Sequence, residues 1–311
     1  SRIFAGACGG NITVAQAYIA DITPPENRSK RMGLIGMAFG LGFIFGPAIS
    51  GIALKFGGST APGWTAAALC AANFVLAFFI LAESLKPNSG QATQRPHLDQ
   101  FFHTLRQPKI GLLVVIFFLA TFAFSCFEST LPLLVNDNFH LGLDKSESAP
   151  AATVISLFIF CGLIGAFIQG GAIGRLVKKF GEPKIIAASL LFTGIALALL
   201  PFLQGDGPLR WSAVLHAKDG PWLKMLGALA LLAVGSALTR APLFGLLSNL
   251  APANEQGATI GVCQSAGALA RIAGPMFAAS LYVHVPALPY VVCGGISIFA
   301  ALLAALLLGA K

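Results

Sequence analysis

Met32-Gly-Leu-Ile-Gly-Met-Ala-Phe-Gly-Leu-Gly-Phe-Ile-Phe-Gly-Pro-Ala-Ile-Ser-Gly-Ile-Ala-Leu54 runs for 23 residues without a charge, between Arg28, Lys30 and Arg31 on one side and Lys55 on the other. As a helix it would be about 35 Å long, enough to cross a hydrocarbon core of about 30 Å. Working outward, eight more apolar runs follow the same pattern, at 2–22, 63–82, 110–135, 151–172, 185–203, 225–250, 258–283 and 287–309. Strands of a membrane barrel would be about 10 residues of alternating pattern, so these runs predict an all-α integral membrane protein. Composition agrees. Apolar residues make up 56% of the 311 and charged residues 10%, with 25 Phe and 35 Gly, against roughly a quarter charged in a soluble domain. That excludes a disordered chain and argues against a soluble enzyme.

The net charge of +8 does not signal nucleic acid, because no basic face with interleaved aromatics appears. The basic residues lie in short loops. Twelve Lys and Arg fall on the side formed by 23–31, 83–109, 173–184, 251–257 and the C-terminus, five fall on the other, and Arg2, Arg240 and Arg271 lie within runs. The positive-inside rule places the first side, with the C-terminus, in the cytoplasm. Cys8, Cys70, Cys126, Cys161, Cys263 and Cys293 all sit in apolar runs without a CxxC, and the five His have no metal spacing. They predict packing residues and no metal site. No signal peptide precedes Ser1, and the first run already carries Arg2, so the chain is expected to lack its beginning.

The segment 83–109 has a polar stretch from Pro87 to Pro96, then Leu98, Phe101, Phe102 and Leu105 at helical spacing. It predicts a linker and a short helix on the membrane surface. It divides the chain into a remainder of one bundle (1–82), the linker (83–109) and a six-helix bundle (110–311). A repeat supports two halves. Shifted by 228 residues, Asp21-Ile-Thr-Pro24 falls on Asn249-Leu-Ala-Pro252, Gly33 on Gly261, and Gly46-Pro47 on Gly274-Pro275, with seven identities over 24–47. Such repeats mark transporters. The offset implies about 100–120 residues upstream, room for three more spans and twelve in all.

Three motifs carry a resemblance. Arg2-x3-Gly6 with Gly9-Gly10 resembles the fourth-helix motif of proton-coupled members of the major facilitator superfamily. Gly33-x8-Gly42-x3-Gly46-Pro47-x3-Gly51 resembles the fifth-helix antiporter motif of its drug/proton exporters, departing where Ser50 stands for a frequent Gly. Gly170-Gly171-x2-Gly174-Arg175-Leu-x-Lys178-Lys179-Phe-Gly181 resembles the second-half copy of its inside-loop motif. Ala17-Tyr-Ile-Ala-Asp21-Ile-Thr-Pro24 with Arg28 is similar to tetracycline-exporter-like members. The resemblance spans the chain and implies the major-facilitator fold, with helices 4 to 12 present.

Some candidate residues follow from physics and others from the resemblance. Charges within spans are costly and face protein or water. Glu128 is the only carboxylate deep in a run, so it is the candidate to hold a proton or a cationic substrate, paired with Arg240, or else to make a structural salt bridge. Arg240 lies near the midplane, and so does Arg271, expected to be structural. Gly42, Gly46 and Gly51 would let another helix approach, with Pro47 bending their own; equally they are packing glycines alone. The resemblance implies that Arg2 belongs to the proton-coupling motif and that Gln16, Glu128 and Arg240 line the cavity. It also implies that Asp21, with Gly174 and Arg175 of the second-half motif, forms a conformational latch, although a solvated end charge and simple topology signals are the plain alternatives.

No Gly-x-Ser-x-Gly and no GxxxxGK[ST] occurs, so energy must come from a gradient, with no cofactor. The expected function is alternating-access transport by a monomer of the inner or plasma membrane, exporting drugs or amphipathic small molecules in exchange for protons. A symporter or facilitator for an organic anion is the alternative, motivated by Arg240 and Arg271. A non-transporting membrane protein with the carrier fold is the third reading.

Overall fold

A computed structural model describes residues 11–81, 97–142, 148–216, 219–252 and 255–308. Arg2, the polar linker and the glycines before Asn11 lie outside them. The described chain is helical throughout. In order come α1 (Asn11–Ile22), a 3-10 turn (Pro25–Asn27), α2 (Arg28–Gly57), α3 (Ala61–Ile80), α4 (His97–Arg106) and α5 (Pro108–Phe139). Then come α6 (Ser148–Phe167), a wide π-helical turn (Ile168–Ala172), α7 (Ile173–Phe180), α8 (Glu182–Leu199), α9 (Trp211–Leu215), α10 (Gly220–Leu250), α11 (Gln256–Tyr282) and α12 (Leu288–Leu303).

Starts and stops follow local chemistry. Pro62, Pro108, Pro183, Pro221 and Pro289 stand in the first turns of their helices, where a missing N–H costs nothing. Asp219 caps α10 by accepting from the Trp222 N–H at 3.4 Å, satisfying an otherwise free donor. Gly181, at φ 79°, breaks α7 from α8 in a conformation that other residues rarely take.

Among the described residues, seven stretches are long and apolar enough to cross a membrane: Pro25–Gly57, Ala61–Ile80, Pro108–Phe139, Ala152–Phe180, Glu182–Phe202, Gly220–Leu250 and Leu288–Leu308. They cover seven of the nine expected runs. Of the run 2–22 only Asn11–Ile22 is described, and it is helical. The run 258–283 forms the 27-residue α11, less apolar than the seven because it carries Gln264 and Arg271 among small residues.

The second half packs around two apolar clusters. One, towards the end expected to be cytoplasmic, joins Ile116, Phe117, Ile186, Leu243 and Phe244, and takes in Ala20 and Met32 from α1 and α2. The other, towards the opposite end, joins Phe127, Leu131, Leu197, Leu229 and Tyr290, with Phe139 stacked on Trp222 at 3.9 Å between centroids. Small residues set a close crossing of α8 and α12: a Cβ on Gly194 of α8 would meet the Gly294 carbonyl oxygen at 2.9 Å, and the reverse holds for Gly294 of α12. In contrast, none of the 20 residues of α3 is buried.

The surface helix α4 forms as expected, but its stripe is redistributed. Gln100 and Thr104 are buried, Leu105 packs on the core and Phe102 is exposed. One polar contact docks the helix, His103 Nε2 lying 3.6 Å from Glu255 Oε2 before α11, while within α4 Gln100 Nε2 donates to Thr104 Oγ1 at 3.3 Å.

Candidate functional site

The helices enclose a cavity of about 460 Å³ where α1 and α2 meet the second half. Phe39 from α2, Phe117, Phe124 and Phe127 from α5, and Phe158 from α6 give it aromatic walls. Three charged side chains face into it: Glu128 from α5, Arg240 from α10 and Arg271 from α11. The structure thus brings Glu128 and Arg240 to one chamber. Arg271, expected to be structural, lines the chamber as well. The cause is packing: α11 lies along α5, with Cys126 Sγ donating to the Gly274 carbonyl at 3.2 Å.

Arg240 has a different environment. Its guanidinium carbon lies 5.1 Å from the centroid of Phe39 and 6.0 Å from that of Phe117. Phe117 is itself held edge-on by Phe244 at 5.0 Å. The Arg240 Nε is buried and has no hydrogen-bond partner among the described residues. A cation–π contact is worth about 0.5–2 kcal/mol, so the two rings offset part of the cost of taking this half-buried guanidinium out of water.

Gln169, in the π-helical turn, also lines the chamber, and its Oε1 is buried without a partner among the described residues. It packs on Gly36, where a Cβ would collide with the Gln169 side chain. A Cβ on Gly33 would lie 2.7 Å from the Gln169 carbonyl oxygen, and one on Gly40 would lie 2.9 Å from that of Gly162. The close approach of α2 to another helix is therefore made by Gly33, Gly36 and Gly40. At Gly42, Gly46 and Gly51 a Cβ meets nothing within 4 Å among the described residues, so the seam expected there is not found. Helix rotation explains it: at about 100° per residue, Gly42 and Gly46 point roughly away from the face of Gly33. Gly51 returns to that face about 27 Å farther along. The Pro47 side chain lies outside the described ones.

Hydrogen bonds between the first segment and the second half gather towards one end. Arg28 Nη1 donates to the Ser248 carbonyl at 2.9 Å and to Asn249 Oδ1 at 3.2 Å, while its Nε donates to the Thr23 carbonyl at 3.2 Å. Asn249 Nδ2 donates to the Pro25 carbonyl at 3.4 Å, and Ser29 Oγ donates to Glu182 Oε1 at 3.1 Å. A guanidinium at the C-terminus of α10 satisfies free carbonyls where the helix dipole favours a cation. Farther in, Gln264 Nε2 donates to Gln16 Oε1 at 2.7 Å. Gln16 is thus buried as an inter-helix bond and is not among the cavity-lining residues.

Gly174 packs against Lys30, whose Cγ would lie 2.9 Å from a Cβ there. Arg175 is exposed on α7, and Asp21 is exposed at the end of α1. Cross-half hydrogen bonds at this end are made by Arg28, Ser29 and Asn249. Arg28 was visible as a loop cation, but its long-range partner was not.

Comparison with known proteins now fixes the family. The model of the Major Facilitator Superfamily matches residues 1–217 and 172–311. The chain belongs to this superfamily. Membership makes it a multi-pass membrane protein of a transporter family rather than an enzyme. It is 32% identical over 285 residues to the class E tetracycline resistance protein of Escherichia coli, covering 90% of this chain and 64% of that relative. It is 30% identical over 294 residues to multidrug resistance protein 2 of Bacillus subtilis (strain 168), covering 92% and 67%. Among solved structures, the human organic anion transporter MFSD10 (TETRAN) matches with a TM-score of 0.77 at 26% identity, covering 95% of this chain and 68% of that one. The chain therefore spans about two thirds of the length of these relatives.

Proposed function

We propose that the whole protein is a secondary carrier that moves amphipathic organic anions across the inner or plasma membrane by alternating access. The observation that carries this reading is Arg240, a half-buried cation lining an aromatic chamber, with its Nε buried and unpartnered among the described residues. Arg271 and Glu128 line the same chamber, so it holds two cations against one carboxylate. An anionic head with an aromatic body satisfies both the charge and the walls. The name of the human relative, an organic anion transporter, agrees with the reading.

The test is counterflow of a labelled aryl carboxylate into proteoliposomes of the full-length protein. Wild type should accumulate it, and Arg240→Gln should reduce the rate at least tenfold. Equal accumulation of an uncharged isostere would overturn the reading.

A second reading, proton-coupled drug export, is favoured by Glu128 in the same chamber and by the tetracycline and multidrug resistance relatives. In everted vesicles energised to acidify the lumen, an exported drug should collapse the pH gradient, and Glu128→Gln should abolish that collapse. Collapse that survives in Glu128→Gln takes Glu128 off the proton path.

A further inference from the structure

Phe39 has no charge to offer a substrate, yet its position is unusual. It belongs to α2, while the guanidinium it faces at 5.1 Å belongs to α10. Every other ring or hydrogen-bonding group around that part of α10 comes from the second half: Phe117 at 6.0 Å, with Phe244 behind it, and the Ser189–Thr239 hydroxyl pair at 2.8 Å. Phe39 is held where it is by its own helix. Gly36 and Gly40, three residues before and one after, are the positions at which α2 packs on α6. The pose of the Arg240 guanidinium thus depends on how closely the two halves approach.

A ring over a flat guanidinium leaves the N–H edge for an acceptor, because cation–π attraction acts on the face and hydrogen bonds act in the plane. Arg240 lines the chamber, and no carboxylate pairs with it among the described residues. Resting on the anion-carrier reading above, we infer that Phe39 is a positioning residue for anion recognition: it fixes the Arg240 guanidinium from the opposite half, so that the anion site is complete only while α2 lies against α10. By linkage, an anion on Arg240 then favours that arrangement of the halves. A neutral substrate of the same shape gains nothing from the ring beyond apolar contact.

The experiment compares two ligands that differ in charge alone, 1-naphthoate and its uncharged amide 1-naphthamide. Binding to the full-length protein in nanodiscs is measured by calorimetry. Wild type should prefer the naphthoate. In Phe39→Leu, which keeps an apolar side chain without a ring, naphthoate affinity should fall about tenfold, while naphthamide affinity stays within twofold. Phe39→Tyr, which keeps the ring, should restore the preference. If Phe39→Leu does not fold, Phe39→Met serves in its place.

A Phe39→Leu or Phe39→Met protein that keeps the wild-type ratio of the two affinities overturns the inference and leaves the carrier reading standing. So does an equal loss for both ligands, which is the mark of a merely structural role. If wild type itself shows no preference for naphthoate, both the inference and the organic-anion reading fall.

Discussion

Glu128 and Arg240 were readable as site residues because a charge in an apolar run has few places to go: it turns towards protein or water. The same argument applied to Arg271, which was read as structural; its neighbour across α5 depends on the crossing of two helices, and no spacing along the chain encodes that. Phe39 is one of 25 Phe, and nothing local distinguishes it. The glycines show the limit most sharply. Gly36 and Gly40 lie between motif positions and carry the contact, while Gly42 and Gly46 fall on the other face. A prediction separates the two contacting positions. Gly40→Ala forces a Cβ towards the backbone oxygen of Gly162, 2.9 Å away, and backbone cannot turn aside. It should cost about 1–3 kcal/mol. Gly36→Ala meets the movable end of Gln169 and should cost less. Thermal unfolding of the two variants side by side checks the order.

At the scale of elements, the long apolar runs were legible, since length and hydropathy alone decide whether a helix can span. Contacts between helices were not. The repeat made α2 and α11 equivalent, yet their Gly-Pro positions differ in surroundings. A Cβ on Gly274 would lie 3.1 Å from the Phe122 carbonyl oxygen, and one on Gly46 would meet nothing within 4 Å among the described residues. Equivalent sequence therefore does not mean equivalent neighbours. The α8–α12 crossing, invisible to any motif, supplies another test. Gly294→Val puts a branched side chain against the Gly194 carbonyl and Ala198. It should lower stability by at least about 2 kcal/mol, read as a reduced melting temperature with the cavity residues intact.

For the molecule as a whole, contacts at the end holding Arg28, Ser248 and Asn249 join the two halves. We expect Arg28→Ala to loosen the joined end by about 1–2 kcal/mol, a roughly tenfold shift in population. A cysteine placed at Thr121, in the chamber, should then react faster with a thiol reagent applied from that side; an unchanged rate would show that Arg28 does not hold the halves together. Orientation has its own test. Arg175→Cys should be labelled by an impermeant reagent only from the cytoplasm, and Asp206→Cys, whose parent side chain is 94% exposed, only from outside. The reverse pattern would invert the topology deduced from the loop charges.

The π-helical turn at Ile168–Ala172 has a geometric consequence for α6 and α7. One surplus residue is absorbed there without breaking the rod, and it shifts the phase of everything beyond it by about 100°. The lengths before and after the turn obey different registers, so a single heptad-like reading of 148–180 must fail somewhere near Gln169. Excising Gly171 would restore one continuous spiral, and Gln169 and Arg175 could no longer both keep their present bearings. The turn acts as a built-in dial setting, in which one residue determines the direction in which the Arg175 end of the rod points its charges.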